Sequence, residues 1–362
     1  MTTPPLAERA LCPQCGGTLA AFTCSFCAVQ YPRLASARVL LANPATHIYH
    51  WRQQLGLILR HATDAVRALA EQAATPGTGP ATLTRLQALA GAIAEQAEDL
   101  AAIITPALGE MLPPGEGVAL PRGSTDYLSY LFRDWAWSDG HDDEHARALA
   151  GLRRVTAERP FGRTLVLGAG ACRLAYDVHL SCGATETAAV DVDPYLLLIA
   201  EAVIRGERAV TLTETSVNAP EVEPVSRRWT LAAPAGPLGE EVFQLFLADG
   251  LEPPFADQTF DTIVTPWFID QVPIDLERFL GRLHRLLVPG GRWVNRGPLL
   301  YRPDMLPIGR WYARQEIFDL ATAAGFRMGA WESGSQGVLV SPLTGRGLIE
   351  NVLTFAAERP AG

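Results

Sequence analysis

Lysine is absent from this chain of 362 residues, so all 30 of its basic residues are arginine. Against 39 acidic residues they leave a formal net charge of −9. That balance counts against a broad nucleic-acid-binding face, which needs a surplus of positive charge. Abundant alanine beside arginine without lysine suggests a GC-rich bacterial genome rather than a special arginine function. Charged residues are scarce at 19%, while 48% are hydrophobic, the composition of a well-cored soluble protein. No apolar run approaches the roughly 18 residues that cross a bilayer. The opening Met-Thr-Thr-Pro-Pro lacks the basic and apolar stretches of a signal peptide. A cytoplasmic protein without a membrane partner is therefore expected, built as one large domain with appendages.

The acidity has one local exception. Residues 1–60 carry Arg9, Arg33, Arg38, Arg52 and Arg60 against Glu8 alone. A solvated, slightly basic head explains this most simply; a grip on RNA is the alternative. The same head holds four of the six cysteines, as Cys12-Pro-Gln-Cys15 and Cys24-Ser-Phe-Cys27. Two such pairs place four thiolates on two tight knuckles, which suits tetrahedral zinc. Gly16 and Gly17 supply the freedom a knuckle turn needs. Two disulfides would also satisfy the spacing, but cytosolic thiols stay reduced. With four protein ligands no coordination position is open, so the zinc would be structural. Cys172 and Cys182 stand alone, and core packing is their default role.

After the head, helical patterns run over about 46–74 and 81–107, with Leu55, Ile58, Leu59, Ala62, Val66 and Leu69 at helical spacing. Thr-Pro-Gly-Thr-Gly-Pro separates them, and a third helical region spans about 124–157. From Arg163 the pattern turns to short apolar strands: Thr164–Leu167, Ala188–Asp191, Phe243–Leu247, Thr262–Thr265 and Gly291–Asn295. Helical segments separate most of them, notably Leu276–Leu287, and imply a parallel sheet covered on both faces. Residues 326–359 read as two strands without a long helix between them, an antiparallel pair at the sheet edge. Residues 211–240 read as an inserted loop. The expected organisation is a zinc-ribbon-like segment at 1–40, a helical cap at 41–157 and an α/β domain of the Rossmann-like type at 158–362.

Chemistry concentrates in three segments of that last domain. Val166-Leu-Gly168-Ala-Gly170-Ala-Cys-Arg173 leaves a strand and enters a helix, so its glycines let the backbone approach a ligand at the helix N-terminus. Dinucleotide enzymes and methyltransferases share this loop. Downstream residues separate them. Asp191 ends the next strand, where a carboxylate can accept both ribose hydroxyls. Asp249-Gly250 ends the third, where an acid or a backbone amide can meet an adenine amino group; an ordinary loop residue is the other reading of Asp249. Asp193, before Pro194, suits a helix N-cap. The loop, the segment Phe260–Asp270 and the segment Trp293–Arg302 together point to methyl transfer from S-adenosylmethionine. A ring nitrogen is the expected acceptor.

The chain resembles the carnosine N-methyltransferase-like family of class I S-adenosylmethionine-dependent methyltransferases. The likeness runs from about 124 to 303 and leaves the cysteine head outside. It rests on Tyr130-Leu-Phe-Arg133-Asp-Trp135, on Gly168-Ala-Gly170-Ala-Cys-Arg-Leu-Ala, on Thr265-Pro-Trp-Phe-Ile-Asp270 and on Trp293-Val-Asn-Arg-Gly-Pro-Leu-Leu-Tyr301. The resemblance implies a Rossmann-like fold whose cofactor is held by Arg133, Gly168, Gly170, Arg173, Asp191, Asp249, Gly250 and Pro266. Arg133 matches the family's cap arginine, which meets the carboxylate of the cofactor. Asp270 matches an acid that holds the acceptor's imidazole. Cys172 stands where the family usually has a third glycine, Tyr130 replaces a polar contact, and Arg302 replaces a histidine.

The residues suggest roles on the acceptor side as well. A neutral imidazole nitrogen already carries its lone pair, with a pKa of about 6.5, so it needs orientation more than a base. An aspartate accepting the opposite N–H would fix the tautomer. Asp270 is the catalytic candidate, with a helix N-cap as its alternative. Trp267 and Phe268 could wall an aromatic ring or simply pack in the core. Tyr301 and Arg302 complete the expected acceptor site, although Arg302 could merely pair with Asp304. The partner implied is a small molecule or peptide bearing an imidazole-like nitrogen. An RNA methyltransferase using the zinc head, or a non-catalytic protein retaining the fold, are the rival readings.

Overall fold

Pro194 directly after Asp193, and glycines directly after the apolar strand at 164–167, tie two helix starts to the carboxyl ends of the strands before them. The structure, a computed structural model, describes residues 5–119, 127–137, 144–216 and 226–362. The head contributes β1 (Leu19–Ala20), β2 (Thr23–Cys24), β3 (Arg33–Leu34) and β4 (Ala37–Leu40). Two long helices follow, α1 (Pro44–Ala73) and α2 (Pro80–Leu108), then α3 (Tyr127–Trp135) and α4 (Glu144–Val155). The expected helical region at 124–157 lies partly outside the described residues. Next come β5 (Gly162–Leu167), α5 (Arg173–Ser181), β6 (Ala184–Asp191), α6 (Pro194–Arg205), β7 (Val210–Thr215) and β8 (Ser226–Leu231). The chain closes with β9 (Phe243–Ala248), β10 (Phe260–Pro266), α7 (Leu276–Leu286), β11 (Leu287–Gly297), α8 (Arg314–Ala323), β12 (Arg327–Val338) and β13 (Leu348–Glu358).

Nine strands form one sheet in the order β12-β13-β11-β10-β5-β6-β9-β4-β3. From β11 to β4 the pairs are parallel. At one edge β13 runs antiparallel to both β11 and β12, as the sequence predicts for 326–359. The parallel strands bury nearly every residue, since helices cover both faces: Leu165, Val166, Leu167, Ile263 and Val264 are all sealed. The strand order reverses at β5, between β10 and β6, and open α/β sheets bind ligands beside the carboxyl ends of strands at such a point.

Three features differ from the sequence-based expectations. Arg33–Leu34 and Ala37–Leu40 join the main sheet, Arg38, Val39 and Leu40 pairing with Phe246, Leu247 and Ala248. Sheet membership thus crosses the expected boundary at residue 40. The expected loop at 211–240 contains the antiparallel pair β7–β8, held against α2 by Arg228, which pairs with Glu95 and Asp99 at 2.6 and 2.9 Å. Residues 217–225 within it lie outside the described residues. Helix α8, which the sequence pattern did not suggest, buries only Ile317 and Ala321. In α1 the predicted stripe is buried at Leu55 but only half-buried from Ile58 to Leu69, so the far end of the α1–α2 pair stands away from the core.

Candidate functional site

At the carboxyl end of β5 the chain turns through Gly168 at φ +71° and Gly170 at φ +55°, left-handed conformations that glycine adopts without a Cβ penalty. Cys172 follows at φ +66° with its side chain fully buried. The loop absorbs the missing third glycine at a backbone cost of about 1–2 kcal/mol. Asp191, at the end of β6, accepts the Gly170 N–H at 2.7 Å and the Asp193 N–H at 2.9 Å. Burial pushes its carboxyl above the ordinary range while those amides pull the other way. Asp193 is the N-cap of α6, accepting from the N–H groups of Tyr195 and Leu196, as the Asp-Pro pair predicts.

In front of this loop lies a cavity of about 310 Å³. Its size falls at the lower end of the roughly 300–1,000 Å³ typical of ligand pockets. Arg133, Gly168, Gly170 and Pro266 line it; Arg173, Asp191, Asp249 and Gly250 do not. Arg173 turns to Asp177 and to the Asp134 carbonyl, bracing α5 against α3. Asp249 is exposed and accepts the N–H of Leu251. Arg133 donates from Nε to Asp134 at 2.7 Å and from Nη1 to Glu144 at 3.3 Å, which leaves the Nη2 hydrogens for a ligand. Although burial opposes its charge, these two carboxylates hold Arg133 above its ordinary range.

The sequence reading missed several groups that line the cavity: Asp134, Glu144, His145, Gln271 and Glu350. Only Asp134, beside Arg133 in the quoted segment, had a visible signal. Burial holds the His145 imidazole down at about 4, so it is neutral near pH 7. Its Nε2 lies 3.2 Å from the carbonyl oxygen of Arg133.

The two aromatic candidates part company. Trp267 lines the cavity at φ +44°, a rare conformation for a bulky residue. Its indole N–H donates to Glu350 at 2.8 Å, and the Arg296 guanidinium lies 5.5 Å from its ring centroid. Phe268 instead turns inward. It packs on Phe279 at 5.6 Å and lies directly beneath Gly168 and Gly250, so it supports the loop rather than walling a ligand.

Asp270 is 1% exposed and sits one residue behind the cavity wall that Gln271 forms. Its Oδ2 accepts from the Leu300 N–H at 2.9 Å and the Gln271 amide at 3.0 Å, while Oδ1 is buried without a partner among the described residues. Burial pushes the carboxyl up. The N-cap of α7 is Asp275, which removes that alternative for Asp270. The Tyr301 hydroxyl is also buried, near the Tyr312 backbone but without a well-formed hydrogen bond among the described residues, and its ring stacks on Trp311. Arg302 is exposed and doubly bonded to Asp304, at 3.0 and 2.9 Å, and is not among the residues that line the cavity.

In the head, the sulfurs of Cys12, Cys15, Cys24 and Cys27 all lie within 4.8 Å of one another. Two pairs are separated by 3.6 and 3.5 Å. Zinc–sulfur bonds of about 2.3 Å in a tetrahedron place sulfurs roughly 3.8 Å apart, so the four thiols fit that ion. None of the six cysteines is in a disulfide. The cluster packs into the core that includes Leu6, Tyr31, Phe246 and Phe255. Most arginines of the head are engaged within the chain: Arg9 with Asp257 and Thr259, Arg33 with Glu240, Arg38 over Phe22, Arg52 with Glu110. A grip on RNA would need them free. No helix among the described residues is long and apolar enough to cross a membrane.

A sequence profile of the family described as carnosine N-methyltransferase matches residues 124–336, more than half of the chain. A curated carnosine N-methyltransferase from Dictyostelium discoideum is 47% identical over 45 residues, 12% of this chain and 10% of that protein. The match thus spans about a tenth of that relative. Among solved structures, the phosphoethanolamine N-methyltransferase 2 of Haemonchus contortus with S-adenosyl-L-methionine is 14% identical. That alignment covers 65% of this chain and 57% of that one, with a TM-score of 0.42. An S-adenosylmethionine-dependent methyltransferase from Aquifex aeolicus is 14% identical over 65% of this chain and 97% of its own, with a TM-score of 0.38.

Proposed function

The chain belongs to the carnosine N-methyltransferase family, and we propose that it transfers a methyl group from S-adenosylmethionine to an imidazole-like ring nitrogen of a small molecule or peptide. The observation that carries this reading is the cavity at the strand switch point, with a glycine cradle on one side and Arg133 on the other. The bound cofactor supplies a methyl group made electrophilic by its sulfonium.

The protein's part is placement. Arg133 offers its remaining guanidinium hydrogens to the cofactor's carboxylate, a charge-assisted contact. The acids around it, Asp134, Glu144 and Glu350, favour a cationic ligand. Gly168 and Gly170 keep the backbone open; a Cβ at Gly170 would meet nothing within 4 Å. The Asp191 oxygens accept the Gly170 and Asp193 N–H groups and retain lone-pair capacity for a ribose hydroxyl. Asp249 and Gly250, outside the cavity lining, would serve the adenine side, where Gly250 borders the loop at Gly168.

On the acceptor side, Asp270 Oδ1 is a buried acceptor awaiting a donor. A ring entering past Gln271 would place its N–H there, fixing the tautomer that leaves the opposite nitrogen free to attack. Holding that nitrogen in line and about 3 Å from the methyl group lowers the barrier by several kcal/mol. Trp267 provides the flat wall and Tyr301 the second polar contact. Arg302, tied to Asp304, would reach a substrate only by releasing it. The head binds one structural zinc through Cys12, Cys15, Cys24 and Cys27.

The test is a screen of imidazole-bearing small molecules and peptides with methyl-labelled cofactor, followed by mass spectrometry of the products. Label on a ring nitrogen is expected. Failure of S-adenosylmethionine to bind would end the proposal. Methylation only of acceptors without such a ring would end its imidazole part.

A further inference from the structure

Beside the first cavity is a second of about 450 Å³, and the two share Tyr130, Leu339 and Leu348 as a common wall. Nothing in the methyl-transfer reading uses it, yet its interior is unusual. Glu214 lines it at 7% exposure. Its Oε2 accepts the indole N–H groups of Trp137 and Trp229 at 3.0 and 2.7 Å, and its Oε1 accepts the Ser341 hydroxyl at 2.8 Å. All three donors are neutral. Its cross-strand partner Arg227 lies over the Trp229 ring, 3.7 Å from the centroid, and makes no ion pair with it. Dipoles orient a buried carboxylate but do not cancel its charge, and buried charges are normally paired.

A second observation points the same way. Ser216 lines the same chamber at 4% exposure, and its hydroxyl has no partner among the described residues. Buried hydroxyls nearly always find one. Two aromatic residues, Tyr130 and Trp137, stand on the wall near this acceptor pair, a setting that favours an organic cation. At the exposed rim is Arg346, whose guanidinium pairs with no described residue.

We propose that this chamber holds the amino-acid end of the methyl acceptor, with its ammonium group on Glu214 and Ser216 and its carboxylate on Arg346. The assignment rests on the imidazole reading above, since the ring must then reach past Tyr130 into the first cavity. Glu214 is fixed in advance by its three donors, so little ordering accompanies ligand capture. The two charges of the ligand each meet an opposite charge in the chamber, on Glu214 and Arg346, which sets its orientation.

Calorimetric titrations of the protein with S-adenosylhomocysteine present would compare four probes: L-histidine, histamine, imidazolepropionate and imidazole. L-Histidine should bind most tightly, and losing either its ammonium or its carboxylate should weaken binding by about 10-fold or more. Glu214→Gln should erase the advantage of L-histidine over imidazolepropionate. Because that change also touches two indoles, Ser216→Ala and Arg346→Ala carry the decision. The Ser216 hydroxyl bonds to no described residue, so its variant should melt like the wild type while weakening L-histidine and histamine by about 3–10-fold. Arg346→Ala should weaken L-histidine and imidazolepropionate only. L-Histidine binding no tighter than imidazole, or both variants at wild-type affinity, would overturn the chamber assignment. Methyl transfer measured alongside keeps the two ideas apart. Ring methylation without any amino-acid preference would sink the chamber and spare the reaction. L-Histidine bound through these residues but never methylated would sink its role as acceptor.

Discussion

Adding one methyl group at Gly168 tests whether the loop is built as described. A Cβ there would lie 2.6 Å from Cδ2 of Phe268 and 3.5 Å from two further ring atoms. Phe268 has little room to retreat, because it packs on Phe279 and the Cβ position of Gly250 is 2.9 Å from the same ring. Overpacking of this kind costs about 1–3 kcal/mol. The backbone at φ +71° adds about 1–2 kcal/mol for a residue with a Cβ, less about 0.4–1 kcal/mol gained by stiffening the unfolded chain. Gly168→Ala should therefore destabilise by about 2–4 kcal/mol. Gly170→Ala is the control: φ is +55°, yet nothing lies within 4 Å of the added carbon, so only the backbone contribution of about 1 kcal/mol remains. Urea unfolding with unchanged m-values measures both. The difference between them, about 1–3 kcal/mol, isolates the contact with Phe268. Equal losses, or a Gly168→Ala protein as stable as the wild type, would refute the placement of that ring.

Elemental analysis should find about one zinc per chain, and Cys24→Ser should lose both the metal and part of the thermal stability. Metal-free protein with an unchanged melting curve would remove zinc from the account. Asp270→Asn should lower turnover of an identified acceptor by roughly 10²-fold or more, the scale of losing electrostatic stabilisation, with cofactor affinity nearly unchanged. Wild-type turnover would confine Asp270 to holding Leu300 and Gln271. His145 predicts a pH dependence: it sits at about 4 when folded and near 6.5 when unfolded, so the unfolded chain takes up its proton first. Its contribution is intact above about pH 6.5 and lost as pH falls toward 4, roughly 3 kcal/mol in all. Denaturant titrations between pH 7 and 4 should show that decline, and His145→Gln should flatten it; an identical decline in the variant would assign it elsewhere.

What was legible in the sequence depended on interactions between near neighbours. The cysteine spacing produced four sulfurs within one coordination sphere because two knuckles need only a few residues each. Asp193 before Pro194 capped α6 because the bonds run to the next two amides. The alternation of strands and helices indicated the parallel sheet and its antiparallel edge, and the glycine loop indicated the cradle. Asp270 could be proposed, but its one unpartnered oxygen could not, because it depends on Leu300 arriving from thirty residues away.

Sequence by itself determined the core strands and most helices of the α/β domain, the clustered cysteines and the chemical class of the loop, since spacing and capping act over a turn or two of chain. Tertiary structure alone decided that β4 pairs with β9, that Phe268 supports the loop while Trp267 faces the cavity, and that Glu214, Ser216 and Arg346 share one chamber. The physical reason is the same in each case: burial, lone-pair partners and charge balance belong to surfaces assembled from distant segments, and no local pattern encodes which segments will meet.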